Sequence, residues 1–250
     1  MADERYLPDA VRRIALRLDY ANRMRAHPRL SAAAGLALLG TRSALRDLGW
    51  FRSFAERRPV DAAGRPLPWF TYPAIALLTP RLAPSLRVFE YGAGGSTLWW
   101  SERVAAVWAV EHEPAWVAEL APRLPPHARV VLQKLDDGDA YPRAAADQVS
   151  AARAGVARAG AARAGADASL FDIVVIDGRR RNDCVASALE ALAPAGVVIW
   201  DNSERPRYAS GQQRLADAGF RRIDLHGMGP VNPWPWCTTI FYRDGNVLGL

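Results

Sequence analysis

The sequence predicts an α/β fold: a doubly wound, mostly parallel seven-stranded sheet with a C-terminal antiparallel hairpin and a helical N-terminal extension. Three observations predict it. From residue 86 onward, short apolar runs alternate with helix-patterned stretches, as in strands joined by right-handed helical crossovers. Several of these runs are apolar throughout, as strands covered on both faces must be. The last two runs lie close together, which suits a hairpin better than a crossover.

Residues 8–26 and 43–57 place apolar residues at helical spacing: Val11, Ile14, Ala15 and Leu18, then Leu45, Leu48, Phe51 and Phe54. With arginines on the opposite faces, these read as two amphipathic helices. Residues 1–79 are thus expected to form a helical segment that packs on the main domain, residues 80–250. Residues 58–70 hold three prolines and Gly64 and read as a connector ending at Trp69-Phe70, followed by a short helix at Tyr72–Thr79. The strands are expected at Leu86–Glu90, Ala106–Glu111, Arg129–Gln133, Phe171–Asp177, Gly196–Asp201, Phe220–Leu225 and Thr238–Arg243.

One stretch, at about 145–168, breaks the rhythm. Residues 151–165 are three copies of an Ala/Arg/Gly pentapeptide. A glycine in each copy costs about 1 kcal/mol relative to alanine in a helix, and a five-residue period builds no continuous apolar face. A mobile, solvated insertion between the third and fourth strands is expected, with no chemical role.

The net charge of +6 belongs entirely to residues 1–60, with 12 arginines against 6 acidic residues; the rest of the chain is balanced. A domain without a basic excess argues against a nucleic-acid partner and for a small-molecule acceptor. Cys184 and Cys237 lack metal-site spacing. No signal-peptide core is present, and no apolar run approaches the roughly 20 residues that span a bilayer. A reducing, cytoplasmic location is expected. A homo-oligomer is compatible with the sequence.

The first strand ends at Glu90, followed by Gly92, Gly94 and Gly95. Such glycines let a backbone turn tightly and approach a ligand. Ser96 and Thr97 can cap the next helix. A tight turn or any nucleotide fold would account for this much. Glu111, at the end of the second strand, adds an acidic residue 21 positions after Glu90, placed to accept ribose hydroxyls. Two carboxylates at consecutive strand ends, with no basic residue in the turn, suit a cationic sulfonium better than a pyrophosphate.

VFEYGAGGSTLWW, VWAVEHEP, FDIVVIDGRRR and AGVVIWDNS, in that order, resemble the strand-end motifs of class I S-adenosylmethionine-dependent methyltransferases. The resemblance covers residues 86 to about 243 and implies a Rossmann-like fold and S-adenosyl-L-methionine as cofactor. It places Glu90, Gly92, Gly94 and Glu111 on the cofactor, with Asp136 or Asp137 near the adenine. Ser96 stands where the family has a third glycine.

A second constellation concerns the acceptor. Asp177 ends the fourth strand and Asp201-Asn202 the fifth, side by side at the carboxyl edge where such sheets bind ligands. These are hard oxygen ligands suited to Mg²⁺. The pattern resembles the metal site of cation-dependent catechol-type O-methyltransferases, which implies metal ligation by Asp177, Asp201 and Asn202 and lowering of an acceptor hydroxyl's pKa. Those enzymes carry a lysine base three residues after the first aspartate; here that position is Arg180, which stays protonated and would steer acceptor charge instead. Asp177 and Arg180 are therefore the catalytic candidates for methyl transfer to a small-molecule oxygen. His226 and the aromatic loop Gly227–Trp236 are further candidates for the acceptor side. Two rivals remain: a metal-independent methyltransferase whose Asp177 and Asp201 only pair with Arg179–Arg181, and a non-catalytic adenosyl-binding module docking through its basic N-terminus.

Overall fold

The computed structural model describes residues 35–158, apart from residue 38, and residues 170–250. The helix expected at 8–26 lies outside them. Seven strands form one sheet in the order β3-β2-β1-β4-β5-β7-β6. They are β1 (Arg87–Tyr91), β2 (Ala106–Glu111), β3 (Ala128–Leu132), β4 (Phe171–Ile176), β5 (Leu192–Asp201), β6 (Arg221–Gly227) and β7 (Trp236–Tyr242). The first five pair in parallel, while β7 runs antiparallel to both β5 and β6. The expected doubly wound sheet and C-terminal hairpin are both present.

Both faces of the central strands are covered, which is why these runs are apolar throughout. Along β4, Val174 and Ile176 pack with Tyr141, Ala145, Cys184 and Val185, while Ile173 and Val175 pack with Phe70, Leu78, Trp99 and Trp100. The first layer comes from α6 (Ala140–Arg158), α7 (Arg181–Ala191) and α8 (Ala209–Asp217); the second from α3 (Tyr72–Leu78) and α4 (Gly95–Ser101). A smaller group, Ala93, Leu98, Ala109 and Leu120, seats α5 (Pro114–Leu120) beside β2. The edges differ. Val131 and Leu132 of β3 are exposed, and β6 presents Arg221, Arg222 and Asp224, charges that discourage edge pairing.

Two expectations are corrected. The helix read at 43–57 is two short helices, α1 (Ala44–Asp47) and α2 (Trp50–Glu56), broken at Gly49. Gly49 adopts φ +80, and a Cβ there would meet Ala62 N at 2.2 Å, so the chain turns where the connector crosses it. Leu48, Phe51 and Phe54 stay exposed as a result, and the inward contacts fall to Trp50 and Ser53. The second correction concerns the pentapeptides. Tyr141, Ala145, Ala146 and Val149 bury the first turns of α6 beside α7, and once nucleated the helix continues through the alanine-rich repeats to Arg158. The repeats beyond that point lie outside the described residues.

Candidate active site

The sheet reverses its winding between β1 and β4, and at that switch point a crevice opens at the carboxyl ends of the strands. The chain leaves β1 through Gly92, at φ +90. A Cβ at Gly92 would lie 2.8 Å from Gly178 Cα, while one at Gly178 would lie 2.0 Å from the Tyr141 hydroxyl. The two turns are pressed back to back, so each position requires glycine. Gly94 is different: its φ of 175 is ordinary extended backbone, and a Cβ there would only touch the Trp116 indole at 3.5 Å.

The resulting cleft measures about 390 Å³. Its floor is the turn from Gly92 to Ser96, its far wall Glu111, His112 and Trp116, and its near wall Asp177, Gly178, Arg179 and Arg181. The connector roofs it with Arg57, Arg58, Pro59 and Trp69. That connector is anchored from several directions. Thr71 N and Oγ1 donate to Thr238 Oγ1 and Leu225 O, and Tyr72 N donates to Met228 O at 2.7 Å. The buried Ser53 hydroxyl donates to Arg58 O at 2.7 Å and accepts from Val231 N at 3.0 Å, while Trp50 Nε1 donates to Asn232 O.

Glu111 lines the cleft with both carboxylate oxygens already oriented. Oε2 accepts from Ala93 N at 3.1 Å, and Oε1 from His112 N and Glu113 N at 2.7 and 2.9 Å. This carboxylate therefore ties the glycine turn to the end of β2, and one lone pair, on Oε2, is left to accept a hydroxyl. Ser96 and Gly94 also line the cleft. Glu90 does not. It is fully buried beneath the turn, where Oε2 accepts from Thr97 Oγ1 at 2.5 Å and Thr97 Oγ1 accepts from Gly94 N. Burial pushes the Glu90 carboxyl up to about 8, against the opposing hydroxyls of Ser96 and Thr97. Asp136 is exposed and outside the cleft wall, and Asp137 accepts from Gln133 Nε2 instead.

A second cavity of about 300 Å³ adjoins the first and shares Trp69 and Asp177 with it. Asp201, Asn202, Arg205, Asn232 and Trp236 complete its lining. The aromatic loop thus reaches this cavity through Asn232 and Trp236. His226 lies on β6, outside both linings.

Arg181, not Arg180, lies beside the strand-end aspartates. Arg180 has φ +49, and its side chain donates to Asp139, Asp183 and Gly138 O, away from both cavities. Arg181, the first residue of α7, points back over the strand ends. Its Nη2 donates to Asp177 Oδ1 at 2.9 Å and faces Asn202 Oδ1 at 3.5 Å, and its Nη1 donates to Asp201 O. Asp201 Oδ1 accepts from Trp236 Nε1 at 2.9 Å and Thr238 Oγ1 at 2.6 Å. Burial raises the Asp177 carboxyl, with Arg181 opposing; burial and then the neighbouring Asp177 raise Asp201 well above the usual range.

These donors do not fit a divalent cation. Asp177 and Asn202 meet a guanidinium, and Asp201 Oδ1 is filled by an indole and a hydroxyl. Among the described residues, no three His, Cys, Asp or Glu side chains converge as a metal site. Asp177 and Asn202, expected with Asp201 as Mg²⁺ ligands, face Arg181 instead. Sequence reasoning passed over Gly178 and Trp116, and named Arg181 only together with Arg179 and Arg180 as an ion-pair partner of the strand-end aspartates. Arg181 had a signal: it stands four residues after Asp177, and a side chain opening a helix there faces the strand end just left.

No family model matches the chain, and no curated protein does. Solved structures do. The precorrin-8w decarboxylase of Methanobacterium thermoautotrophicum is 17% identical, with 68% of this chain and 88% of that chain covered and a TM-score of 0.46. The precorrin-6Y C5,15-methyltransferase of Geobacter metallireducens is 15% identical, covering 68% and 87%, also at 0.46. An rRNA methylase of Streptococcus thermophilus is 11% identical, covering 68% and 95%, at 0.43. No helix among the described residues is long and apolar enough to cross a membrane.

Proposed function

We propose that this chain is an S-adenosylmethionine-dependent methyltransferase acting on a small-molecule oxygen acceptor. One observation carries the reading: two cavities meet at Asp177 on the switch point of the sheet, one built around a glycine turn and Glu111, the other around polar side chains and indoles. The first fits an adenosyl ligand. Gly92 keeps the turn free of a side chain, Glu111 Oε2 offers an acceptor to a ribose hydroxyl, and the indole of Trp116 stands over Gly94.

The bound sulfonium supplies an activated methyl group, so the protein's contribution is chiefly alignment. Arg181 holds Asp177 Oδ1, leaving Oδ2 without a hydrogen-bond partner among the described residues and placed to take the acceptor's proton. Gly92, Gly94 and Glu111 would hold the cofactor, which would supply its methyl group to the acceptor oxygen and depart as a neutral thioether. Trp69 of the connector stands at the junction of the two cavities.

Calorimetric titration with S-adenosylmethionine and S-adenosylhomocysteine tests the reading. Binding of both in the micromolar range is expected; binding of neither would refute it.

A further inference from the structure

At the ends of β4 and β5, three oxygen-bearing side chains stand close enough together to suggest a site for a cation, and a cation of the protein's own is already there. Each guanidinium nitrogen of Arg181 donates to these strand ends: Nε to Gly178 O at 2.9 Å, Nη1 to Asp201 O, and Nη2 to both Asp177 O and Asp177 Oδ1 at 2.9 Å. Arg181 is only 7% exposed, and the ring of Tyr208 lies against it with its centroid 5.2 Å from the guanidinium carbon. A planar fork that stays charged and spends its donors on fixed carbonyls has little freedom to move. Asn202, which it also faces, holds the left-handed conformation at φ +51, a strained position that the surrounding contacts must maintain.

We infer that Arg181 is the resident cation of the strand ends where the two cavities meet: a positioning residue, lining the first cleft, that joins β4 to β5, holds Asp177 for the acceptor, and stands in place of a divalent metal ion. The direction of the acceptor class follows. A metal ion would ligate two adjacent acceptor oxygens at once, whereas this guanidinium has committed its nitrogens to protein oxygens. The pocket is then suited to an acceptor that presents one protic group to Asp177, with Arg205 and the carboxamides of Asn202 and Asn232 around it. The acceptor part rests on the methyl-transfer reading; the metal-replacing role does not.

Manganese(II) alone, titrated into the full chain and followed by electron paramagnetic resonance, tests this without any acceptor. The wild type is expected to show no site at millimolar metal. Arg181→Met, which removes the charge at similar length, is expected to gain a site at least about tenfold tighter, and adding Asp177→Asn should abolish it. A purely structural arginine would leave metal affinity unchanged on removal. The inference is overturned by a stoichiometric manganese site in the wild type that Asp177→Asn removes, or by folded Arg181→Met that gains none. If Arg181→Met does not fold, the wild-type and Asp177→Asn titrations decide alone. Calorimetry with S-adenosylhomocysteine on the wild type reads the methyl-transfer proposal separately, so failure of ligand binding and appearance of a metal site refute different statements.

Discussion

Thr97 donates its hydroxyl to Glu90 beneath the glycine turn, 2.5 Å from Oε2, and the same hydroxyl oxygen accepts the amide of Gly94. The motif's leading acid is thus a buried support of the turn, wholly withdrawn from the cleft. Through Thr97 it holds the backbone of the turn at Gly94.

This burial makes Glu90 a source of pH-dependent stability. Its folded pKa, about 8, lies above the ordinary 4.5. The folded state binds the extra proton between those values, so stability is fully present below the lower one and is lost as pH rises through the upper one. Glu90→Gln keeps an acceptor for Thr97 and cannot ionise. Relative to wild type, the variant should gain about 2–5 kcal/mol of stability between roughly pH 5 and pH 9. Denaturant unfolding at the two pH values measures it; a constant difference would show that Glu90 is not protonated in the fold.

Glu111 tests the cleft from the opposite side. Its two oxygens accept three backbone amides, from Ala93, His112 and Glu113. Glutamine can offer only one acceptor oxygen and turns its amide donors toward N–H groups. Glu111→Gln should therefore lose about 1–3 kcal/mol of stability and weaken S-adenosylhomocysteine binding at least about tenfold. A 2′,3′-dideoxy analogue of that ligand separates the causes. If Glu111 holds the ribose, the substitution costs the parent ligand more affinity than the analogue; equal losses would assign the whole effect to the turn.

Arg180 is expected to matter little. Its partners Asp139 and Asp183 are mostly exposed, and it lines neither cavity. Exposed pairs of this kind contribute about 0–1 kcal/mol. Arg180→Ala should unfold within that margin of wild type and bind S-adenosylhomocysteine unchanged. A tenfold loss of affinity would return the residue to the site.

The difference between Arg180 and Arg181 shows where sequence reading ran out. Strand ends are legible because apolar runs stop at charged residues, so Glu90, Glu111, Asp177 and Asp201 could all be placed at one edge of the sheet. What each carboxylate faces depends on neighbours distant in sequence. Glu90 points under its own turn, and Asp201 Oδ1 is occupied by Trp236 and Thr238 from β7. The three arginines look equivalent on paper. The left-handed backbone at Arg180 sends one outward, and the start of α7 turns the next inward. The helix at 43–57 failed for a related reason, since only the crossing connector reveals why Gly49 must turn.

The glycines of the turn separate a requirement of the fold from a requirement of the ligand. At Gly92 an alanine would combine φ +90 with a Cβ 2.8 Å from Gly178 Cα, and backbone on the far side leaves no flexible atom to yield. Gly92→Ala should destabilise the protein by about 1–3 kcal/mol from the conformation alone, with the steric contact adding to it. At Gly94 the backbone is extended and the added methyl would rest against Trp116 at ordinary distance. Gly94→Ala should change unfolding free energy by less than about 0.5 kcal/mol. Because Gly94 lines the cleft, the same methyl would stand where a ligand approaches the backbone, so S-adenosylhomocysteine affinity should fall while the fold is unchanged. Paired denaturation and calorimetry on the two variants resolve this: a Gly94→Ala protein that keeps both stability and full affinity would move the ligand off the glycine turn.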